Sequence, residues 1–383
     1  MSLDFATAPY GRRAETDAIF RRFDAGKNLL MPGPRRLGKT FVLERLDERA
    51  NGNGYHAIRL DVAPCTNPQA FFTKLAEAIE AKLGSKLVQQ IKQRFSQILA
   101  PRNQSASTLP QALLSLDWEN YAQNLIETLA SDNKKWVILM DELPIFLLRL
   151  HEQADGFSQA RRIMYWLREI CLRLPTLRWL ITGSIGIEPL AREGNYQGSL
   201  TDFERFELQP LEEIAARTLI RDLAHTGLLP YRTIISDTEI QAIVDAVGWL
   251  SAYYLEAFSR HVRGNPSNDE AETKALIDQA RHSLIASADR DCFGVWYEHI
   301  DKHYKTRKKL AFNVLTALSG YETGISHGTL LTVLNDPSFH EIDLRRLLNT
   351  LEEDGFLVSD HDNDKYRFRM ELLRLWWQRY LPE

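Results

Sequence analysis

Residues 33–40 are Gly-Pro-Arg-Arg-Leu-Gly-Lys-Thr, and no other stretch of the 383-residue chain restricts its fold as sharply. The spacing is G-x-x-x-x-G-K-[ST], the phosphate-binding P-loop, which needs a β-strand before it and a helix after it. Gly33 and Gly38 let the backbone curl so that successive N–H groups point inward at phosphate oxygens. Lys39 is placed to reach the β and γ oxygens of a nucleotide, and the Thr40 hydroxyl to take a position on Mg²⁺. Chance gives this pattern in a chain of this length with a probability of roughly 1%. The flanks have the required character. Lys27-Asn-Leu-Leu-Met31 is a short apolar run with strand character, and Phe41-Val-Leu-Glu-Arg-Leu46 has helical spacing.

About a hundred residues on, Trp136-Val-Ile-Leu-Met-Asp-Glu142 is a continuous apolar run ending in two acids. A buried parallel strand has this composition, with functional residues at its carboxyl end. Asp141 is expected in the Mg²⁺ shell, and Glu142 to orient and polarise an attacking water. A core strand that merely ends in two solvated acids would look the same, but its pairing with a P-loop points to a hydrolytic P-loop NTPase. Leu177-Arg-Trp-Leu-Ile-Thr-Gly-Ser184 is a third apolar strand ending in polar residues. Ser184 is the candidate there for sensing the γ-phosphate, against the alternative of an ordinary Gly-Ser turn. The catalytic candidates are therefore Glu142, Lys39 and Ser184, with Thr40 and Asp141 as metal ligands.

These three segments together resemble the archaeal-type ATPases of the AAA+ class, which lie near the signal-transduction ATPases with numerous domains and the origin-recognition ATPases. Tyr10-Gly-Arg-Arg-Ala-Glu15 is similar to the Gly-Arg-x-x-Glu box of that family, which implies that Gly11 and Arg12 lie near the adenine. Gly248-Trp-Leu-Ser-Ala-Tyr-Tyr-Leu255 resembles the nucleotide-sensing lid segment, with Ala252 where the family has proline. The resemblance implies ATP and Mg²⁺ as cofactors. It makes Gly33, Pro34, Arg35, Arg36, Leu37, Gly38, Lys39, Thr40 and Phe41 the nucleotide-binding residues. It also implies an arginine beyond the third strand that reaches a neighbour's nucleotide, with Arg192 and Arg205 as candidates. In a bacterial host it suits stress signalling or anti-phage defence.

At 383 residues the chain exceeds one ordinary domain. The fold class is α/β: a P-loop parallel sheet, then an α-helical lid and a C-terminal winged helix. The expected boundaries are 1–208 for the ATPase core, 209–290 for the lid and 291–383 for the winged helix. Strands are placed near 27–31, 56–62, 136–141, 177–182 and 203–208. The polar segment 97–108 is expected to be an exposed loop. Lid helices are expected over 211–224, 237–247, 253–262 and 269–288. Helices over 307–318, 325–334 and 342–353, followed by a hairpin from 355–358 to 366–368, make the winged helix. No apolar run approaches the ~20 residues that span a bilayer, and no signal sequence opens the chain. Cys65, Cys171 and Cys292 have neither disulfide nor zinc spacing, so they are expected to be reduced thiols. A cytoplasmic protein with no membrane partner is the expectation.

Segment 341–355, where a winged helix would enter the major groove, has Glu341, Asp343, Glu352, Glu353 and Asp354 against Arg345 and Arg346. That surplus opposes phosphate approach, and a whole-chain charge of −4 gives no general footprint for DNA. A basic run, Lys302-His-Tyr-Lys-Thr-Arg-Lys-Lys309, is a solvated face or a site for an acidic partner. Two readings follow. The favoured one is a regulatory ATPase, slow without its partner, whose nucleotide state controls self-assembly or a protein partner. The alternative is a DNA-associated ATPase of the initiator or transposition-regulator kind.

Overall fold

A computed structural model describes residues 3–83, 118–131, 134–229, 233–264, 268–286, 290–335, 341–360 and 362–380. The chain forms two compact units. A sheet unit comprises 14–32 and 40–207, and a helical unit comprises 1–13, 33–39 and 208–383.

The sheet unit begins with α1 (Arg13–Asp24), β1 (Asn28–Pro32) and α2 (Lys39–Arg49). β2 (Tyr55–Asp61), α3 (Pro68–Glu80) and α4 (Trp118–Ala130) follow. Then come β3 (Lys135–Asp141), α5 (Leu143–His151), α6 (Gly156–Arg173), β4 (Leu177–Gly183), α7 (Ile187–Glu193) and β5 (Phe203–Arg205). All five strands are parallel, in the order β2-β3-β4-β1-β5. β4 thus lies between the strand that leads into the P-loop and the acidic strand. β3 is buried on both faces from Trp136 to Asp141, which is why it is a continuous apolar run rather than an alternating one. Buried Asn28 accepts a hydrogen bond from the Trp179 N–H at 3.0 Å, tying β1 to β4. On one flank, Phe71 of α3 and Phe146 of α5 stack 5.1 Å apart and nearly parallel. The fifth strand spans three residues, shorter than the run 203–208 suggests, and the Phe206 N–H caps it by donating to Leu30 O at 2.8 Å. Segment 97–108 lies outside the described residues.

In the helical unit, α8 (Glu213–His225), α9 (Asp237–Val247), α10 (Ala252–Ser259) and α11 (Glu270–Ala286) form the lid region. α9 starts with a reciprocal cap between Ser236 and Glu239. α12 (Arg290–His303), α13 (Lys308–Ser319), β6 (Ile325–Ser326), α14 (His327–Leu334), α15 (Glu341–Glu353), β7 (Leu357–Asp360), β8 (Lys365–Phe368) and α16 (Glu371–Tyr380) complete it. The three short strands are antiparallel in the order β6-β8-β7. Three helices with this sheet are the elements of a winged helix. α16 packs against α13 and also against α9 and α11, so the lid and the C-terminal elements share one compact unit. Trp296, Phe356 and Trp377 are fully buried at its centre, and Trp376 is buried beside Trp377, so both tryptophans of the C-terminal helix are packing residues.

Candidate nucleotide site

β3 delivers two carboxylates from consecutive positions and sends them different ways. Asp141 continues the strand, whereas Glu142 adopts a left-handed conformation (φ 58°, ψ 36°) before α5 begins. For a non-glycine residue this costs on the order of 1–3 kcal/mol, and such strain concentrates at functional positions. Asp141 is buried with both oxygens engaged. Its Oδ2 accepts the Thr40 hydroxyl at 2.7 Å, and its Oδ1 accepts the Thr182 hydroxyl from the end of β4. Glu142 Oε2 accepts both the backbone N–H and the hydroxyl of Ser184, each at 2.9 Å. Gly183, the last residue of β4, lies between Thr182 and Ser184, and a Cβ there would lie 2.4 Å from the Pro144 ring. Only glycine lets Pro144 pass so close to the strand end. The sheet therefore brings Thr40, Asp141, Glu142 and Ser184 together as their residue types suggest. It adds the contact of Thr182 with Asp141, a partner that the Thr-Gly-Ser strand end does not disclose, because it depends on β4 lying beside β3.

The loop itself closes on its own lysine. Lys39, at the first position of α2 and 6% exposed, donates to the carbonyls of Gly33 at 2.6 Å and Pro34 at 2.9 Å. Arg36 (φ 66°) and Gly38 (φ 98°) are both left-handed. Alternation of handedness turns successive N–H groups to one side, the geometry of an anion nest. Oxygen donors suit a hard cation, and Thr40 and Asp141 supply one hydroxyl and one carboxylate already in contact. Among the described residues no group of three or more His, Cys, Asp or Glu could hold a metal ion.

Gly11 and Arg12 sit at the start of the helical unit. A Cβ on Gly11 would fall 2.1 Å from the Phe5 carbonyl, so the position excludes any side chain. Buried Arg12 donates to the carbonyls of Gln209, at 2.9 Å, and Leu37, at 3.3 Å. The lid segment also touches the loop: Ser251 Oγ donates to Arg36 O, and the Arg36 guanidinium lies over the Tyr253 ring at 4.1 Å. Ala252 is the first residue of α10. Proline is favoured there for its φ and its dispensable N–H, and alanine serves equally well as a helix former.

The two candidate arginines differ. Arg205 is committed to Glu188 at 2.7 Å and Glu207 at 3.2 Å. Arg192, in the last turn of α7, is exposed and forms no ion pair among the described residues. The three cysteines are free and buried, and burial pushes the Cys171 thiol up to about 12, which leaves it unreactive.

No protein-family model and no curated protein matches the chain. Solved structures do. A Walker-type ATPase of Pyrococcus abyssi superposes with a TM-score of 0.64 at 16% identity, covering 96% of this chain and 95% of that one. The ORC2 protein of Aeropyrum pernix, in ADPNP–ADP complexes, gives a TM-score of 0.52 at 13% identity, covering 96% and 94%. The chain has the AAA+ P-loop fold.

Within this AAA+ fold the acid surplus of segment 341–355 proves to be only partly on the surface. Asp354 is 3% exposed and accepts from Tyr304 and His299, while Glu352 accepts the Ser359 N–H and hydroxyl. The exposed charged side chains described on α15 are Asp343, Arg345, Arg346 and Glu353, which balance. At the end of the helix Glu353 stays exposed, while Asp354, just past it, is turned inward. The basic run places Lys305, Lys308 and Lys309 along a groove with Tyr297 and Phe312. Among the described residues no helix is long and apolar enough to cross a membrane.

Proposed function

We propose that this protein is a Mg²⁺-dependent ATPase whose nucleotide state switches self-assembly or a protein partner. One observation carries the reading: Thr40, the residue after the P-loop lysine, shares the Asp141 carboxylate with Thr182, while neighbouring Glu142 is held by Ser184. A structural ion network would not need a strained glutamate at the end of a buried strand. The same fold carries ADPNP and ADP in the Aeropyrum pernix protein.

In this reading the backbone of residues 33–38 and the Lys39 ammonium hold the phosphates. Thr40 and Asp141 hold Mg²⁺, which when bound supplies charge neutralisation on the phosphate oxygens. Glu142 takes the proton of the attacking water, and Ser184 keeps the carboxylate aimed by donating from its N–H and hydroxyl. Exposed Arg192 is the group to reach the nucleotide of a second copy. Turnover in an isolated chain is then slow, since transition-state charge lacks an external cation. The test is Lys39→Ala in the full chain. ATP affinity falls at least about tenfold, or roughly 1.4 kcal/mol; a folded variant that binds ATP as well as wild type overturns the reading.

A second reading, a DNA-associated ATPase, gains from exposed Arg345 and Arg346 on α15 and from the burial of Asp354. Duplex binding measured at two salt concentrations separates the two. A steep salt slope supports DNA contact and a flat, weak signal supports the protein switch.

A further inference from the structure

The four residues between Gly33 and Gly38 each have a partner in the helical unit. Leu37 O accepts from Arg12, Arg36 O accepts from Ser251, Pro34 lies on Gly355, and Arg35 reaches His299. The last two converge on one turn, where α15 passes into β7.

Arg35 Nε donates to His299 Nδ1 at 3.1 Å. A guanidinium has no acceptor, so Nδ1 must present its lone pair. The neutral ring then carries its proton on Nε2, which donates to Asp354 Oδ2 at 2.9 Å. The same oxygen accepts the Tyr304 hydroxyl at 2.8 Å. His299, Asp354 and Tyr304 are 1%, 3% and 4% exposed, so the chain of donors and acceptors has little competition from water. The Phe356 ring lies beside the imidazole, with the ring centroids 5.6 Å apart. Gly355, the residue after Asp354, is left-handed (φ 88°), and a Cβ there would sit 2.2 Å from Pro34 Cβ. Space and backbone conformation both demand glycine where the turn meets the loop.

We propose that His299 and Asp354 are positioning residues for the phosphate-binding loop: through Arg35 they hold the 33–37 backbone, and the α15–β7 turn becomes a handle on nucleotide affinity. This rests on the ATPase reading for its consequence, though not for the tether itself. A nest binds phosphate only when its N–H groups are fixed in advance, and each lost tether lets the loop sample other shapes before binding. A partner that displaces the α15–β7 turn would thereby alter nucleotide affinity without touching the nucleotide.

The experiment is a double-mutant cycle on the full chain with His299→Leu, Arg35→Gln and the double variant. Nucleotide affinity is read with a fluorescent ATP analogue, and amide exchange over residues 33–37 is read without nucleotide. Each single variant should weaken binding about tenfold or more, and the double variant should be no weaker than either single one, because both cut the same chain. Exchange over 33–37 should quicken in all three, with the unfolding midpoint of Arg35→Gln unchanged. Additive losses, or single variants with wild-type affinity and exchange, overturn the proposal. Should His299→Leu fail to fold, Asp354→Asn takes its place in the cycle with the same two outcomes. If wild-type protein does not bind the analogue, the ATPase reading fails, while the exchange arm still decides the tether.

Discussion

The carboxylates of the sheet unit and the phosphate loop of the helical unit depend on different kinds of support. Asp141 and Glu142 take their partners from Thr182 and Ser184 on the adjoining strand, 41 and 42 residues away, and from Thr40 at the start of α2. Parallel register sets these contacts: Met140 lies beside Ile181, and Met31 beside Thr182, so the three strand ends arrive together. Once the sheet forms, the acids are in place. The loop has its own Lys39, which holds the Gly33 and Pro34 carbonyls, but no adjoining strand. Its other partners, to the Leu37 and Arg36 carbonyls and the Arg35 side chain, lie 25, 215 and 264 residues away, on the N-terminal segment, the lid and α12. The two sets of contacts share no residue, so the proposed chemistry and the proposed binding are expected to be separable. Substitutions among the loop's partners are expected to alter how well the loop holds phosphate.

The strongest challenge to that separation is Glu142→Gln. The amide keeps the shape and loses the base, so steady-state phosphate release should fall roughly a hundredfold to ten-thousandfold, with ATP binding unchanged. Equal turnover in wild type and variant would remove Glu142 from the chemistry. Loss of binding alongside turnover would show that the two regions are not separable.

A smaller effect is expected from Thr182→Val, which removes one donor from buried Asp141 and leaves the other, Thr40, in place. The cost is about 1–3 kcal/mol in stability. Mg²⁺ titrations should show weaker metal dependence, while nucleotide affinity without metal stays at the wild-type value. A Thr182→Val protein with unchanged melting temperature and unchanged Mg²⁺ dependence would mean that the strand-end contact supports nothing.

Association provides the third comparison. Specific activity should rise with wild-type concentration and cease to do so in Arg192→Ala, whereas Arg205→Ala, already paired with Glu188 and Glu207, should behave as wild type. Sedimentation of Glu142→Gln with ATP should show a larger species than without it. A monomer in both states, with constant activity per molecule, rejects self-assembly. The smallest effect is Ala252→Pro at the first turn of α10. Proline fits that position, so the change should leave nucleotide affinity as it is and raise stability by about 0.4–1 kcal/mol. A loss of stability would show that the Ala252 N–H or conformation matters to the lid.

Much of the sheet unit, and the phosphate loop, was legible in the chain. The P-loop, the acidic strand and the Thr-Gly-Ser strand each state their chemistry over consecutive residues, because a phosphate nest and a buried strand end impose strict local requirements. The third helix of the C-terminal part was equally plain, with Leu344, Leu347, Leu348 and Leu351 on one buried stripe. What could not be seen was where side chains spend their charge. Asp354 and Glu352 count as surface acids in a linear tally and are in fact consumed by His299, Tyr304 and Ser359. Arg205 is as good a candidate as Arg192 until Glu188 and Glu207 are seen to hold it.

By itself, then, the sequence determined the parallel sheet, the phosphate loop and the two carboxylates, since each follows from residue types at fixed short spacing. Only the tertiary structure decided that Thr182 binds Asp141 and that Arg35 ends on His299. Those contacts join residues far apart in the chain. Hydrogen-bond partners at such separations are chosen by packing, and no local pattern records the choice.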